Sequence, residues 1–185
     1  GPLVAGSLAR LRELAAGNTR GGKAVLYVFR IPALLDRAQV IVRNLREIGL
    51  EVTVEPFSPG VLDAKTGTPG EPYDMLLTRY HVDYPDPANL MLRFLSGANA
   101  RKPSGNTNAA YFDNPAYDRR MAAANRLFGS ARLRAFSKLE ADIMRNQAPW
   151  APMFEGSSWL LVSKRVGCFR LHPVYILNYP AVCLK

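Results

Sequence analysis

The chain has 185 residues, of which 48% are hydrophobic and 21% are charged, a composition that supports one sizeable hydrophobic core. Its net charge of +9 would suit nucleic acid or an anionic surface, but most arginines lie singly among acidic residues and the basic runs are no longer than pairs, such as Arg119-Arg120 and Lys164-Arg165. No segment approaches the roughly 20 consecutive apolar residues that a membrane-spanning helix needs, so the sequence favours a globular domain over a nucleic-acid binder or a membrane span.

The first third of the chain alternates predicted helices and strands. Leucines that recur on one face predict an amphipathic helix over 3–16. The short apolar run 24–30 predicts a buried strand, and apolar residues spaced by three and four over 34–48 predict a helix that ends at Gly49. Alternating apolar and polar residues over 51–57 predict a second strand. This order of elements favours a parallel strand pair with a right-handed crossover.

The middle of the chain is rich in residues that form turns. Residues 58–72 contain many Pro, Gly and Thr residues and are predicted to form a surface loop, followed by a third strand over 73–80. Residues 83–87 have the sequence Asp-Tyr-Pro-Asp-Pro, which predicts a rigid turn before a short helix over 89–95. A polar loop is expected over 98–109.

The next part of the chain is predicted to form two consecutive helices. Asn114, with a proline directly after it, caps the first helix, which runs to about Phe128, and Ser130 caps the second, which reaches about Asn146. The second helix has a regular apolar stripe and is expected to bury it. The stripe consists of Leu133, Phe136, Leu139 and Ile143.

The C-terminal region is predicted to be β-structure. Residues 150–154 and 159–163 are strand-like, and an irregular hairpin is expected at about 164–185. Cys168 and Cys183 suit opposite strands of this hairpin, where they would form a disulfide; two buried free thiols are the alternative. Because the chain has no CxxC motif and only two histidines, a structural zinc site is disfavoured.

The turn at 83–87 holds the main candidates for function. His81, Asp83 and Asp86 are metal-ligating residue types, but three groups on one turn do not complete a coordination shell, so no metal and no cofactor is predicted. Carboxylates at the C-terminal end of a strand lie where open α/β sheets contact ligands. The alternative, which weighs most for Asp86, is that these aspartates only bond their own backbone. No nucleophile has a convincing base, so the chain is predicted not to be an enzyme.

Several segments resemble, in order and spacing, the C-terminal lobe of the family-5 extracellular solute-binding proteins, the oligopeptide, dipeptide and nickel receptors of ABC importers. The resemblance is carried by 45–52 (Leu-Arg-Glu-Ile-Gly-Leu-Glu-Val), by the turn 83–87, by 111–118 (Tyr-Phe-Asp-Asn-Pro-Ala-Tyr-Asp) and by 148–153 (Ala-Pro-Trp-Ala-Pro-Met). It implies an α/β fold, one lobe of a class II periplasmic-binding-protein-like fold with a mixed central sheet flanked by helices, with 1–185 as a single lobe.

The same resemblance implies a ligand-binding site around the turn. In peptide receptors of this family the first aspartate of the turn holds the free α-amine of the ligand, and the matching residue is Asp83; a charged hydrogen bond of this kind contributes about 1.5–3 kcal/mol. Tyr80 occupies a position at which an aromatic ring would pack against the ligand. Arg79 and His81 stand where the family usually has glycine, which favours an anionic ligand or an ion pair with Asp83. The expected contacts are Arg79, Tyr80, His81, Asp83, Tyr84 and Asp86.

The function that the resemblance implies is binding without chemistry. A bacterial receptor, secreted or lipid-anchored outside the cytoplasmic membrane, would close two lobes over a small solute, with a peptide as the expected ligand, and dock on the permease subunits of an ABC transporter. This chain would be the second lobe, with the N-terminal lobe and a signal peptide outside it. A ligand-sensing module of a regulatory protein is the alternative, and a nucleic-acid binder whose affinity falls with salt is a third.

Overall fold

The computed structural model describes residues 5–17, 21–153, 156, 160–172, 174 and 176–185. These residues pack into two compact units. Unit 1 consists of Gly1–Tyr80 with Lys102–Ala109, and unit 2 of His81–Arg101 with Ala110–Lys185. That residues 1–185 act as a single lobe stays a prediction.

Unit 1 is a three-stranded parallel sheet with helices. Its elements in chain order are α1 (Ala5–Ala15), β1 (Lys23–Phe29), α2 (Pro32–Arg46), β2 (Glu51–Phe57), α3 (Pro59–Thr66) and β3 (Met75–Leu77). The strand order is β2-β1-β3, and both pairs are parallel, with Lys23 opposite Glu51 and Leu26 opposite Met75. The predicted parallel pair is therefore confirmed. The described strands of the central sheet are all parallel, so antiparallel pairing occurs only outside this sheet.

The two faces of β1 bury different kinds of side chain because successive residues of a strand point to opposite sides. Leu26 and Val28 pack into an apolar core with Leu34 and Ala38 of α2. Tyr27, on the other face, is 1% exposed and its ring packs edge-on against Phe57, with centroids 4.8 Å apart. The central strand thus anchors an aliphatic layer on one side and an aromatic layer on the other.

The predicted surface loop over 58–72 is wrong for its first half, which forms α3. Pro59 occupies the first helical turn, a position that proline tolerates because its missing N–H would have no intrahelical partner there. Leu62 is 1% exposed and fixes the helix to the core, and the Thr66 hydroxyl donates to the Leu62 carbonyl oxygen at 3.0 Å. The third strand is shorter than predicted and ends at Leu77.

Unit 2 is mainly helical. Its helices are α4 (Pro87–Phe94), α5 (Gly97–Ala100), α6 (Pro115–Asn125) and α7 (Gly129–Asn146). The prediction of two consecutive helices after Asn114 is confirmed, and the Asn114 side chain accepts the predicted capping bond from the Ala116 N–H at 3.1 Å. The predicted cap of the second helix is wrong: α7 begins at Gly129 with Phe128 at its N-cap, so Ser130 lies within the first turn, and the first helix ends at Asn125, before Phe128. The polar loop predicted over 98–109 is wrong at its start, where α5 forms. Ser96 caps that helix by accepting from the Ala98 N–H.

The core of unit 2 lies where α4, α6 and α7 meet. Its fully or nearly buried members are Ala88, Met91, Leu95, Tyr117, Met121, Ala124, Phe136, Leu139 and Ile143. Three of the four residues of the predicted stripe on α7 are therefore in the core. The fourth, Leu133, is 53% exposed, so its placement in the stripe was wrong. The buried line of α7 continues at position 132, one residue earlier, where the side chain is only 17% exposed.

Within the described residues, the C-terminal hairpin contains four short strands. They are β4 (Val166–Gly167), β5 (Leu171–His172), β6 (Ile176–Leu177) and β7 (Cys183–Leu184), and they form the antiparallel pairs β4-β7 and β5-β6. The structure joins Cys168 and Cys183 in a disulfide with 5.4 Å between the Cα atoms. The strands predicted over 150–154 and 159–163 are wrong for 150–153 and 160–163, which have no strand structure; residues 154 and 159 lie outside the described residues.

No helix within the described ranges is long and apolar enough to cross a membrane.

Candidate ligand-binding site

The predicted site residues are divided between the two units. Arg79 and Tyr80 follow β3 in unit 1, whereas His81, Asp83, Tyr84 and Asp86 belong to unit 2 and precede α4. In unit 1 the carboxyl ends of the three parallel strands form one edge of the sheet, which is the edge where open α/β sheets present ligand-contacting loops. Arg79 is exposed there and Tyr80 is half-buried.

Asp83 is the more exposed of the two carboxylates in the turn. Side chains of the following helix hold it in position. Its Oδ2 atom accepts from Arg93 Nη1 at 2.9 Å and from Asn89 Nδ2 at 3.3 Å. Its backbone N–H donates to Asn89 Oδ1 at 3.0 Å. The side chain of Asp83 remains 57% exposed. A carboxylate is thus held in place while much of its surface faces solvent.

Asn89 and Arg93, which bond Asp83, were not predicted from the sequence as its partners. Both lie on α4, four residues apart and therefore on one face of the helix, directly behind the turn. Asn89 is 5% exposed and makes a reciprocal pair of bonds with Asp83, which fixes the turn to the first part of the helix. A signal was present in the sequence: two polar residues at helical spacing interrupt an otherwise apolar stretch.

Asp86 has a structural set of contacts. It is the N-cap of α4, since Oδ1 accepts from the Ala88 N–H at 2.8 Å. Both oxygens also accept from the Arg132 guanidinium, Oδ2 from Nε at 2.8 Å and Oδ1 from Nη2 at 2.9 Å. The guanidinium holds the pKa of Asp86 below its ordinary value, although partial burial acts in the opposite direction. These contacts agree with the turn-chemistry alternative for Asp86, and its role as a ligand contact stays a prediction.

Arg132 connects three helices of unit 2. Besides Asp86 at the start of α4, it donates to the Asn125 carbonyl oxygen at 2.6 Å and to Asn125 Oδ1 at 2.8 Å at the end of α6. Its guanidinium also lies over the Phe136 ring, 5.0 Å from the ring centre. The turn that carries Asp83 is therefore tied to the helical core at both of its ends, by Asn89 and by Arg132.

The remaining predicted residues of the turn are on the surface. His81 is exposed, and Tyr84 is 50% exposed. Within the described residues, no group of three or more His, Cys, Asp or Glu side chains is arranged to hold a metal ion, and His81, Asp83 and Asp86 are not such a group.

A second charged cluster lies in unit 1 and has a structural role. Lys65 Nζ donates to Glu71 Oε2 at 3.0 Å, and the Tyr27 hydroxyl donates to the same atom at 3.0 Å. The lysine lowers the pKa of Glu71, while burial and then the bond to Glu71 raise the pKa of the Tyr27 hydroxyl. The Lys65 ammonium also lies 5.2 Å from the centre of the Phe57 ring. The cluster fixes α3 and the segment after it to the aromatic face of β1.

The structure is similar to solved peptide-binding proteins. Oligopeptide-binding protein 2 of clavulanic acid biosynthesis matches with a TM-score of 0.82 at 21% identity, over 95% of this chain and 33% of that chain. The periplasmic binding protein DppA from Helicobacter pylori, solved with the peptide STSA, matches with 0.73 at 20% identity, over 94% and 33%. A dipeptide-binding protein from Pseudoalteromonas sp. SM9913, solved with Met-Leu, matches with 0.74 at 19% identity, over 94% and 35%.

This chain has the fold of one part of a periplasmic peptide-binding protein. The predicted fold class, and the resemblance on which it was based, are confirmed at the level of the fold. The chain spans about a third of the length of the peptide-binding proteins that it matches. No protein-family model and no curated protein sequence matches the chain.

Proposed function

We propose that this chain is a ligand-binding lobe of an extracytoplasmic receptor that delivers peptides or similar small solutes to an ABC importer. The observation that carries the proposal is the match of 94–95% of the chain to peptide-binding proteins with TM-scores of 0.73 to 0.82. The remaining two thirds of those proteins would correspond to further domains of the receptor, among them a second lobe that closes over the solute. Permease subunits in the membrane would be its other partners.

Asp83 is the residue that we assign to the amine of the ligand. A carboxylate binds an ammonium group by a charge-assisted hydrogen bond, and it does so best when its position is fixed before the ligand arrives. Asn89 and Arg93 supply that fixation, and the 57% exposure of the Asp83 side chain leaves it open to an approaching cation. Asp86, whose two oxygens both accept bonds from Arg132, is much less suited to this role.

The binding step needs no chemical transformation, so we propose a receptor and not an enzyme. The matched proteins are named as binding proteins, which favours transport over catalysis. The alternative of a ligand-sensing module in a regulatory protein has no support among them. For a transport receptor of this kind the cellular location would be outside the cytoplasmic membrane.

Binding of peptides to the full-length protein that carries this chain tests the proposal. We expect a pool of synthetic tripeptides to raise the melting temperature, because a ligand at one hundred times its dissociation constant adds about 2.7 kcal/mol to the stability of the folded state. A pool of N-acetylated tripeptides should give a smaller shift, since acetylation removes the ammonium group. If neither pool nor any single tripeptide binds, the proposal of a peptide receptor is wrong.

Replacing Asp83 by alanine is expected to weaken binding of a free tripeptide by about 10- to 100-fold, because one charged hydrogen bond contributes about 1.5–3 kcal/mol. Titration calorimetry with Ala-Ala-Ala and N-acetyl-Ala-Ala-Ala measures this change. The acetylated peptide should bind the wild type and Asp83→Ala equally. Asp83→Asn, which keeps the shape and loses the charge, is the matched variant and should behave like Asp83→Ala. Unchanged affinity of Asp83→Ala for the free peptide would contradict the assignment.

A further inference from the structure

The carboxylate of Asp83 is already paired with the Arg93 guanidinium before a ligand binds. Arg93 Nη1 lies 2.9 Å from Asp83 Oδ2. The two side chains are 48% and 57% exposed, respectively, so a ligand that reaches the carboxylate also reaches the guanidinium. A ligand cation therefore meets a carboxylate whose charge is already balanced by a neighbouring cation, and its ammonium group gains less than it would from an isolated aspartate.

Arg93 is held beside Asp83 by its surroundings. Asn89, one helical turn earlier, is 5% exposed and bonds both the backbone and the carboxylate of Asp83. The Arg93 guanidinium also lies over the Phe94 ring, 5.4 Å from its centre. Both side chains of the pair are thus held by neighbouring residues. We therefore expect the ligand to contact Asp83 while Arg93 is still bonded to it.

A ligand matches this pair when it carries an anion close to its ammonium group. Its ammonium then faces Asp83 and its anion faces Arg93, so that four charges of alternating sign lie together and each has an opposite neighbour. A ligand with a second cation near the ammonium places that cation against Arg93, where the repulsion opposes binding. Arginine suits this task because its planar guanidinium can bond two carboxylates along different edges.

We propose that Arg93 is a specificity-determining residue that selects peptides with an acidic first side chain over peptides with a basic one. This inference rests on the proposed function, since it takes Asp83 as the contact of the peptide amine. The ligand class would be peptides with an acidic first side chain, and the site would include Arg93, which lies on α4 outside the turn.

Titration of the full-length protein with Glu-Ala-Ala, Ala-Ala-Ala and Lys-Ala-Ala tests the inference. The wild type is expected to bind the Glu peptide about tenfold more tightly than the Lys peptide. Arg93→Gln should abolish or reverse that preference, because it leaves Asp83 with its full negative charge. Arg93→Lys keeps the positive charge and should retain most of the preference. A melting curve of each variant verifies that it folds.

The outcomes separate the inference from the proposed function. Binding of all three peptides by the wild type with equal affinity overturns the role of Arg93 and leaves the peptide receptor intact. The same conclusion follows if Arg93→Gln keeps the wild-type ratio of Glu to Lys affinity. If the wild type binds none of the three peptides and no member of the tripeptide pool, the proposal of a peptide receptor is wrong, and the inference about Arg93 is wrong with it.

Discussion

Replacing Phe136 by alanine is expected to lower the free energy of unfolding by about 3–5 kcal/mol, which is the usual cost of removing a buried phenylalanine ring from a core. Phe136 is 0% exposed and packs in the core of unit 2 with residues of α4 and α6. The substitution also removes the ring under the Arg132 guanidinium, 5.0 Å from its centre, so it loosens the bond between Arg132 and Asp86. Urea denaturation monitored by circular dichroism measures the change.

Phe128 provides a matched control for this experiment. It is the same residue type, eight positions earlier at the N-cap of α7, but it is 88% exposed. Phe128→Ala is expected to change the free energy of unfolding by less than about 0.5 kcal/mol, since it leaves no cavity. Equal destabilisation by the two substitutions would mean that the packing described for Phe136 is wrong.

The elements that were predicted well from the sequence are those with long, regular hydrophobic patterns. The second strand is observed at Glu51–Phe57 as predicted, and the helix before it is observed at Pro32–Arg46, within two residues of the predicted bounds. Both place apolar side chains in the same core, beside Leu26 and Val28 of β1, so their patterns directly reflect the packing. The helix at Pro59–Thr66 was missed because Pro and Gly, which often mark loops, stand in its first turn, where a helix accepts them.

The stripe on α7 shows where periodicity alone misleads. Phe136, Leu139 and Ile143 are buried as predicted, yet the next position of the same line is occupied by Arg132 and not by Leu133. A charged residue can extend a buried line when it has partners, and Arg132 has Asp86 and Asn125. Since Asp86 lies 46 residues away in sequence, no local pattern indicates that pairing.

The position of the ligand site at the turn stays a prediction, and the contacts of the turn were not predicted in detail. The turn at 83–87 lies after the sheet edge in the chain, as expected, and the resemblance drew attention to Asp83. Arg79 and His81 were expected either to favour an anionic ligand or to pair with Asp83, whereas the structure gives Arg93 as a partner of Asp83. Arg79 is nearer in sequence, but Arg93 follows Asn89 on the same face of α4, and Asn89 bonds Asp83 directly. The geometry of a helix that packs behind a turn determines the pair, and the sequence near the turn does not.

Replacing Asp86 by alanine is expected to lower the free energy of unfolding by about 2–3 kcal/mol. The substitution removes the N-cap of α4, which contributes about 1 kcal/mol, and it leaves the Arg132 guanidinium without the carboxylate. Asp86→Asn is the matched variant, because an asparagine oxygen can still cap the helix but carries no charge. The difference in the free energy of unfolding between the two variants therefore gives the contribution of the cap, and the loss that remains in Asp86→Asn gives that of the ion pair. Urea denaturation of both variants measures these values.

The stability difference between the wild type and Asp86→Asn should also depend on pH. Arg132 holds the pKa of Asp86 below the ordinary value of 3.8, so the carboxylate is favoured in the folded state. A carboxyl group whose pKa is lowered by folding stabilises the protein fully above its unfolded pKa and loses that contribution as the pH falls through its folded pKa. The difference should thus be constant between about pH 5 and 8 and shrink below about pH 4. A difference that grows on acidification would show that Asp86 does not act as the anion of this pair.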